Sequence, residues 1–134
     1  MISYLTLKSR ERSELIDITA RVEELISAAG MRSGCCDVFV LHTTAGITVN
    51  EGADPAVKRD IASCLDRLVP NNAHYFTHSE GNAAAHVKAS LIGPSQRLLV
   101  DRGKLLLGTW QALYFCEFDG PRERRVAIRI CADG

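Results

Sequence analysis

The chain contains four histidines, and three of them, His74, His78 and His86, fall between residues 74 and 86. His78 and His86 bracket the run "HSEGNAAAH", which also supplies the acid Glu80, a glycine and Asn82. The fourth, His42, opens the polar run "HTTAG". Imidazole is the commonest metal ligand among side chains. Three of them on one divalent ion, with a fourth position left for water, make a zinc-type catalytic site. His42, His78 and His86 are therefore the candidate metal ligands, with His42 also a candidate for direct catalysis. Their spacing matches no stock zinc signature such as HExxH. Taken singly, each reads as a solvated loop residue or a satisfied core residue. His74, just ahead of Tyr75 and Phe76, reads as surface or packing.

The acids of "NEGADPAVKRD" come next. Asp54 is placed to cap a helix and Asp60 to lie on a solvated helix face. Glu51 follows a strand-like run and is the candidate general base, or the partner that orients a histidine. Thr43 and Thr44 in the "HTTAG" turn offer hydroxyls and backbone N–H groups to an anion such as phosphate. Trp110, the only tryptophan, could line a ring-binding pocket, though a core position is the better expectation. Gln111 beside it needs a polar partner if buried. Arg122, Arg124 and Arg125 cluster around a turn, and arginine recognises phosphate bidentately.

The elements that must position these groups follow from periodicity. "MISYLTLKS" alternates as an opening strand. Ser13 is a plausible N-cap for a helix carrying Leu15, Ile18, Val22, Leu25 and Ile26 on one stripe and stopped by Gly30. Two β-rich runs, 35–41 and 46–50, flank "HTTAG". Asp54-Pro55 starts a second helix along Val57, Ile61, Leu65 and Leu68, ended by Pro70. A loop over 71–81 leads to a third helix from Asn82 to about Leu91, closed by Gly93-Pro94. The remainder, "RLLVD", "KLLLGTW", "QALYFCEFD" and "RRVAIRICA", is strand-like with short turns, which favour antiparallel pairing. Strands and helices do not alternate regularly, so the expected class is α+β rather than doubly wound α/β.

The totals set the limits. At 134 residues and 46% hydrophobic content, the chain reads as a single globular domain over 1–134. Sixteen basic and sixteen acidic residues cancel, which argues against a nucleic-acid or membrane-surface binder. Five cysteines without a CxxC spacing argue against a disulfide framework and point to a reducing cytoplasm. The first residues lack a signal-peptide pattern, and no run is long enough to span a bilayer.

"LHTTAGITVNEGADPAVKRDI", "HSEGNAAAHVKASLIG" and "GKLLLGTWQALYFCEFDGPRERRVAI" together resemble the YjbQ family, whose members are also described as secondary thiamine-phosphate synthases. The resemblance implies a mainly antiparallel β-sandwich-like core with about three helices, and a homotrimer with sites near subunit boundaries. It also maps His42, His78, His86 and Glu51 onto the family's polar site positions. The implied activity joins a pyrimidine diphosphate to a thiazole phosphate. His42, His78 and His86 would hold a metal, and Glu51 would handle a proton. Thr43, Thr44, Trp110, Gln111, Arg122 and Arg124 would contact the small-molecule substrate. Three histidines favour zinc over the magnesium usual for diphosphate departure. The alternatives are a metal-dependent hydrolase and a non-catalytic trimeric protein that binds a ligand or metal.

Overall fold

The computed structural model describes residues 1–134 as eight strands and three helices. In chain order these are β1 (Ile2–Lys8), β2 (Glu14–Asp17), α1 (Thr19–Ala28), β3 (Gly34–Val40), β4 (Ala45–Glu51), α2 (Pro55–Leu68), α3 (Ala83–Ile92), β5 (Ser95–Asp101), β6 (Lys104–Leu105), β7 (Gln111–Glu117) and β8 (Glu123–Ala132). All pairings are antiparallel. They form a five-stranded sheet ordered β1-β8-β3-β5-β6 and a three-stranded sheet ordered β2-β7-β4. The expected α+β class is what the chain adopts.

The two sheets share one core. From the larger sheet come Leu5, Leu7, Cys36, Val38, Val40, Leu98, Val100, Val126 and Ile128; from the smaller come Ala45, Ile47, Leu113 and Phe115; α1 adds Val22 and Ile26. Strand β7 is buried along nearly its whole length, which is why its sequence, "QALYFCE", lacks a polar alternation. Leu113 and Phe115 point into the shared core, while Ala112, Tyr114 and Cys116 point the other way into a second cluster with Ala85 and Ala89 of α3. Ile61 and Leu65 of α2 pack against that second cluster. Helices α2 and α3 therefore cover the far face of the smaller sheet. Gly46 permits the close approach of α3: a Cβ there would stand 2.9 Å from the Gly93 carbonyl oxygen and 3.1 Å from the Ile92 side chain. Across the two helices, the fully buried Lys88 ammonium pairs with Asp66. Cys36 and Cys116 behave as small hydrophobes, and burial pushes their thiols up to about 12.

Three expectations are corrected. The first helix does not begin at Ser13: Glu14–Asp17 forms β2 on the edge of β7, and α1 starts only at Thr19. Leu15 and Ile16 fit both periods, and pairing with β7 decides between them. In "KLLLGTW" only Lys104–Leu105 is a strand. Trp110 is not a core residue; it is 65% exposed. Asp54 caps α2 as expected, its side chain accepting the Ala56 N–H, and Gly30 has the positive φ of 67° that ends a helix.

Phe115 lies fully buried between the two sheets. Phe115→Ala is expected to cost about 3–5 kcal/mol of unfolding free energy in guanidinium titration; a loss below about 1 kcal/mol would show that the sheets do not share this core.

Candidate functional site

Strand β3 ends at Val40, and the chain turns through His42, Thr43 and Thr44 before entering β4. The imidazole of His42 is fixed by the backbone of β8: its Nε2 accepts the Arg125 N–H at 2.8 Å. A ring nitrogen that accepts carries no proton, so neutral His42 keeps its proton on Nδ1. Burial lowers the pKa of His42, and the charges of Arg124 and Arg122 push the same way against the pull of Glu117. His42 is thus held as a neutral imidazole whose free lone pair is already engaged.

Beneath the turn lies a buried ion pair. Arg124 Nε donates to Glu117 Oε1 at 2.8 Å, and Arg124 Nη2 donates to Glu117 Oε2. The same Nη2 reaches Thr44 Oγ1 at 2.8 Å. Glu117 also accepts from Ser9 Oγ at 2.6 Å and from the Asp119 N–H at 2.9 Å. Burial alone pushes the Glu117 carboxyl upward, but Arg124, Ser9 and the Asp119 N–H together hold it below its ordinary range. Arg124 and Thr44 are consequently committed to each other and to Glu117, which corrects their expected role as free phosphate ligands.

Above this base is a cavity of about 320 Å³ lined by His42, Thr43, Thr44, Glu80, Asn82, His86, Arg122 and others. Arg122 keeps one guanidinium edge on Asp119, through Nε to its carbonyl at 2.9 Å and Nη2 to its Oδ2 at 3.1 Å, and is otherwise half exposed. Asn82 heads α3 but does not cap it; its Nδ2 donates instead to Asp119 Oδ2 at 2.9 Å. His78 stands next to His86, ring centroids 5.2 Å apart and nearly perpendicular, and 3.8 Å from Glu80 Oε2.

The histidines therefore converge only in part. His42 and His86 share the cavity and His78 flanks His86, yet no three His, Cys, Asp or Glu side chains meet as a metal-holding group. With Nε2 of His42 bound to a backbone N–H, the three-histidine zinc site does not fit these residues. His74 makes an edge contact with Tyr75 in the loop and takes no part. Glu51 is misplaced for the expected base: it ends β4, seven residues past Thr44, roughly 20 Å away at strand rise. Its carboxylate accepts the Ala53 N–H at 2.9 Å. Gln111 pairs with Glu51 across the strands and its side chain accepts the Gly108 N–H, so it and Trp110 belong to that distant end as well. Sequence reasoning assigned Asn82 only a capping role, gave Glu80 no role of its own, and passed over Asp119 and Glu117. The one available signal was Glu117, an acid closing an otherwise apolar strand. A larger cavity, about 500 Å³, lies between the β1–β2 connection and α2, but it contains no histidine. Two of its three acids are occupied: Glu14 accepts two backbone N–H groups and Asp66 pairs with Lys88.

The family model for UPF0047, YjbQ-like proteins matches residues 3–133. The chain belongs to the UPF0047 family. The family assignment agrees with a UPF0047 protein, YugU, of Bacillus subtilis, 48% identical over 97% of this chain and 98% of its own. A UPF0047 protein of Methanocaldococcus jannaschii is also 48% identical, over 99% and 96% of the two chains. Among solved structures, an uncharacterised family protein of Clostridium acetobutylicum superposes with a TM-score of 0.93 at 48% identity over 96% of this chain and 99% of that one. One from Sulfolobus solfataricus, described as of unknown function, gives 0.92 at 32% identity over 99% and 97%. These relatives carry no name for thiamine-phosphate synthesis. With no metal-holding group either, the expected metal-assisted synthase and its metal-dependent alternatives are overturned.

The pH dependence follows from the two depressed values. An unfolded chain protonates a free imidazole near 6.5 and a free carboxyl near 4.5, before native His42 or Glu117 accepts a proton. Their stabilisation is therefore present above those values and lost as pH falls. His42 is expected to titrate with an NMR midpoint below 6.5, with the Arg125 amide shifting in step; a midpoint above 6.5 with a silent Arg125 amide would refute the tether. Arg124→Met, which strands Glu117 in the core, is expected to cost about 3–5 kcal/mol in denaturant unfolding.

Proposed function

We propose that the cavity between the His42 turn and the start of α3 binds a small anionic molecule, such as a phosphorylated metabolite. The observation that carries this reading is the start of α3. Its first turn has no side-chain cap, because Asn82 is turned to Asp119. The positive end of this ten-residue helix thus stands beside a cavity that also holds Arg122, neutral His42 and His86. Uncapped N–H groups, a helix dipole and an arginine are the ordinary ingredients of an anion site. His86, whose ring makes no hydrogen bond within the chain, is free to hold or move a proton on the bound molecule.

The outer face of the larger sheet supports a second reading, that the protein is a homotrimer. Ile2, Tyr4, Phe39, Leu41, Leu99 and Leu106 are all 44–58% exposed on that sheet or beside it. The register places Tyr4 and Phe39 on either side of Ala127, and Leu99 next to Cys35. Such an apolar face is what self-association would cover. The family resemblance favours three copies. Leu41 belongs both to this face and to the cavity lining, so a trimer would set the cavity at a subunit edge.

Two measurements test these readings. Inorganic phosphate, added to the protein at millimolar concentration, is expected to shift the His42 and His86 ring resonances, and Arg122→Gln to weaken binding by roughly tenfold or more; unshifted rings would end the anion reading. Light scattering is expected to give three times the 14.7 kDa chain mass, falling to one chain in Phe39→Glu.

A further inference from the structure

Cys35 of β3 and Cys131 of β8 stand directly opposite one another in the larger sheet. Both point to its outer face, since the adjacent Cys36 and Ile130 turn inward to the core. Both are free thiols and only partly buried, whereas Cys36 and Cys116 are sealed in. Ser33 accepts the Asp133 N–H at 3.0 Å, and the Leu41 N–H donates to the Arg125 carbonyl at 3.4 Å. The two kinds of pair alternate along an antiparallel ladder, so hydrogen-bonded pairs fall at the odd-numbered residues of this stretch. Cys35 and Cys131 are one such pair.

Residues in a hydrogen-bonded pair have Cα atoms about 5.5 Å apart, inside the span of roughly 4.4–6.8 Å that a disulfide bridges. Their Cβ atoms, also about 5.5 Å apart, are wider than the roughly 4.5 Å of a relaxed bridge. A bond here forms with some strain, and strained, accessible disulfides are the readily reduced ones. The position suits a reversible bond rather than a permanent staple. Burial and the charge of Asp37 push the Cys36 thiol up, and Cys35 and Cys131 both add to that rise. Both also add to the rise that Asp37 causes at Arg97. The two sulfurs therefore share one neighbourhood.

We propose that Cys35 and Cys131 are a peroxide-sensitive dithiol that closes into a disulfide joining β3 to β8. The oxidant is hydrogen peroxide. One thiolate attacks it: an S–O bond forms, the O–O bond breaks, and the departing oxygen leaves as water, giving a sulfenic acid. The second thiol attacks that sulfur: the S–S bond forms, the S–O bond breaks, and the oxygen leaves as a second water. Two electrons pass from the sulfurs to the peroxide, and the two thiol protons end in the two waters. A small-molecule thiol reverses the step by exchange. The site is separate from the cavity, because Cys35 lies six residues along the chain from Leu41, roughly 20 Å at strand rise. The bond fastens the far end of β8, the strand whose start carries Arg124 and the Arg125 N–H that holds His42.

Peroxide treatment of the folded full chain tests this, in a Cys64→Ser background that removes the one exposed thiol and with it links between chains. The treated protein is unfolded in N-ethylmaleimide, digested with trypsin and weighed by mass spectrometry. Two of its four remaining thiols are expected to escape alkylation, with the peptide carrying Cys35 joined to the peptide carrying Cys131. Dithiothreitol is expected to restore all four. Adding Cys35→Ser or Cys131→Ser, both on the outer face, is expected to abolish the link. Four alkylated thiols after treatment would overturn the proposal. So would separate sulfinic acids at the two positions, or a link that persists in Cys35→Ser through the neighbouring Cys36. The link itself is read with both cysteines in place, so it does not depend on how the Cys35 and Cys131 variants fold.

Discussion

A carboxylate and a guanidinium sealed away from water hold the functional end of this protein together. Glu117 closes β7 and Arg124 lies near the start of β8, both almost wholly buried. Desolvating such a pair is costly, and the cost is offset only when the remaining lone pairs and protons are also satisfied. Here they are, by Ser9 at the end of β1, the Asp119 N–H in the hairpin, and Thr44 in the turn before β4. Three stretches distant in sequence, at Ser9, at Thr44 and in the 117–124 hairpin, are tied to one charge pair. A buried pair is weak evidence for stability in itself. Its consequence is geometric: the turn bearing His42 and the hairpin bearing Arg122 have one way to sit relative to each other.

The polar groups facing the cavity inherit their settings from that base. The Asp119 N–H bonds to Glu117, and the Asp119 side chain then fixes Asn82 and Arg122. His42 is set by the β8 backbone at Arg125, next to Arg124, which decides its tautomer and keeps it neutral. A neutral donor, an anchored arginine and an uncapped helix start suit an anion with a proton to exchange. They do not suit the expected three-histidine site, because the His42 lone pair it would need is already engaged by the Arg125 N–H.

The architecture explains why the site lies where it does. Strand β7 is buried on both faces and belongs to two cores at once, one shared with the larger sheet and one with α3. Helix α3 can press against β4 because Gly46 leaves room for its C-terminal end. Packing α3 on this sheet is what brings its first turn, and so Asn82 and His86, over the turn that carries His42. The opposite face of the larger sheet keeps its apolar side chains in solvent, a surface separate from the cavity except at Leu41.

The class of fold was legible along the chain. Alternation marked β1, a stripe with a proline and a capping aspartate marked α2, and irregular element order marked α+β. The YjbQ-type motifs identified the family, and residues of the "HTTAG" turn and of the α3 start line one cavity. Local pattern could not decide whether Leu15 and Ile16 were helix or strand, because both periods fit and only pairing with β7 chose. Nor could it separate Arg124 from Arg122, since two arginines in one turn look alike until one is buried against Glu117. Glu51 and His42 are nine residues apart in sequence, which suggests proximity, but an extended strand carries them to opposite ends of β4. What the sequence determined by itself is what depends on local periodicity and short motifs. What the tertiary structure alone decided is which polar groups meet, because a hydrogen-bond partner is chosen by packing across the chain, where separation along the sequence carries no information.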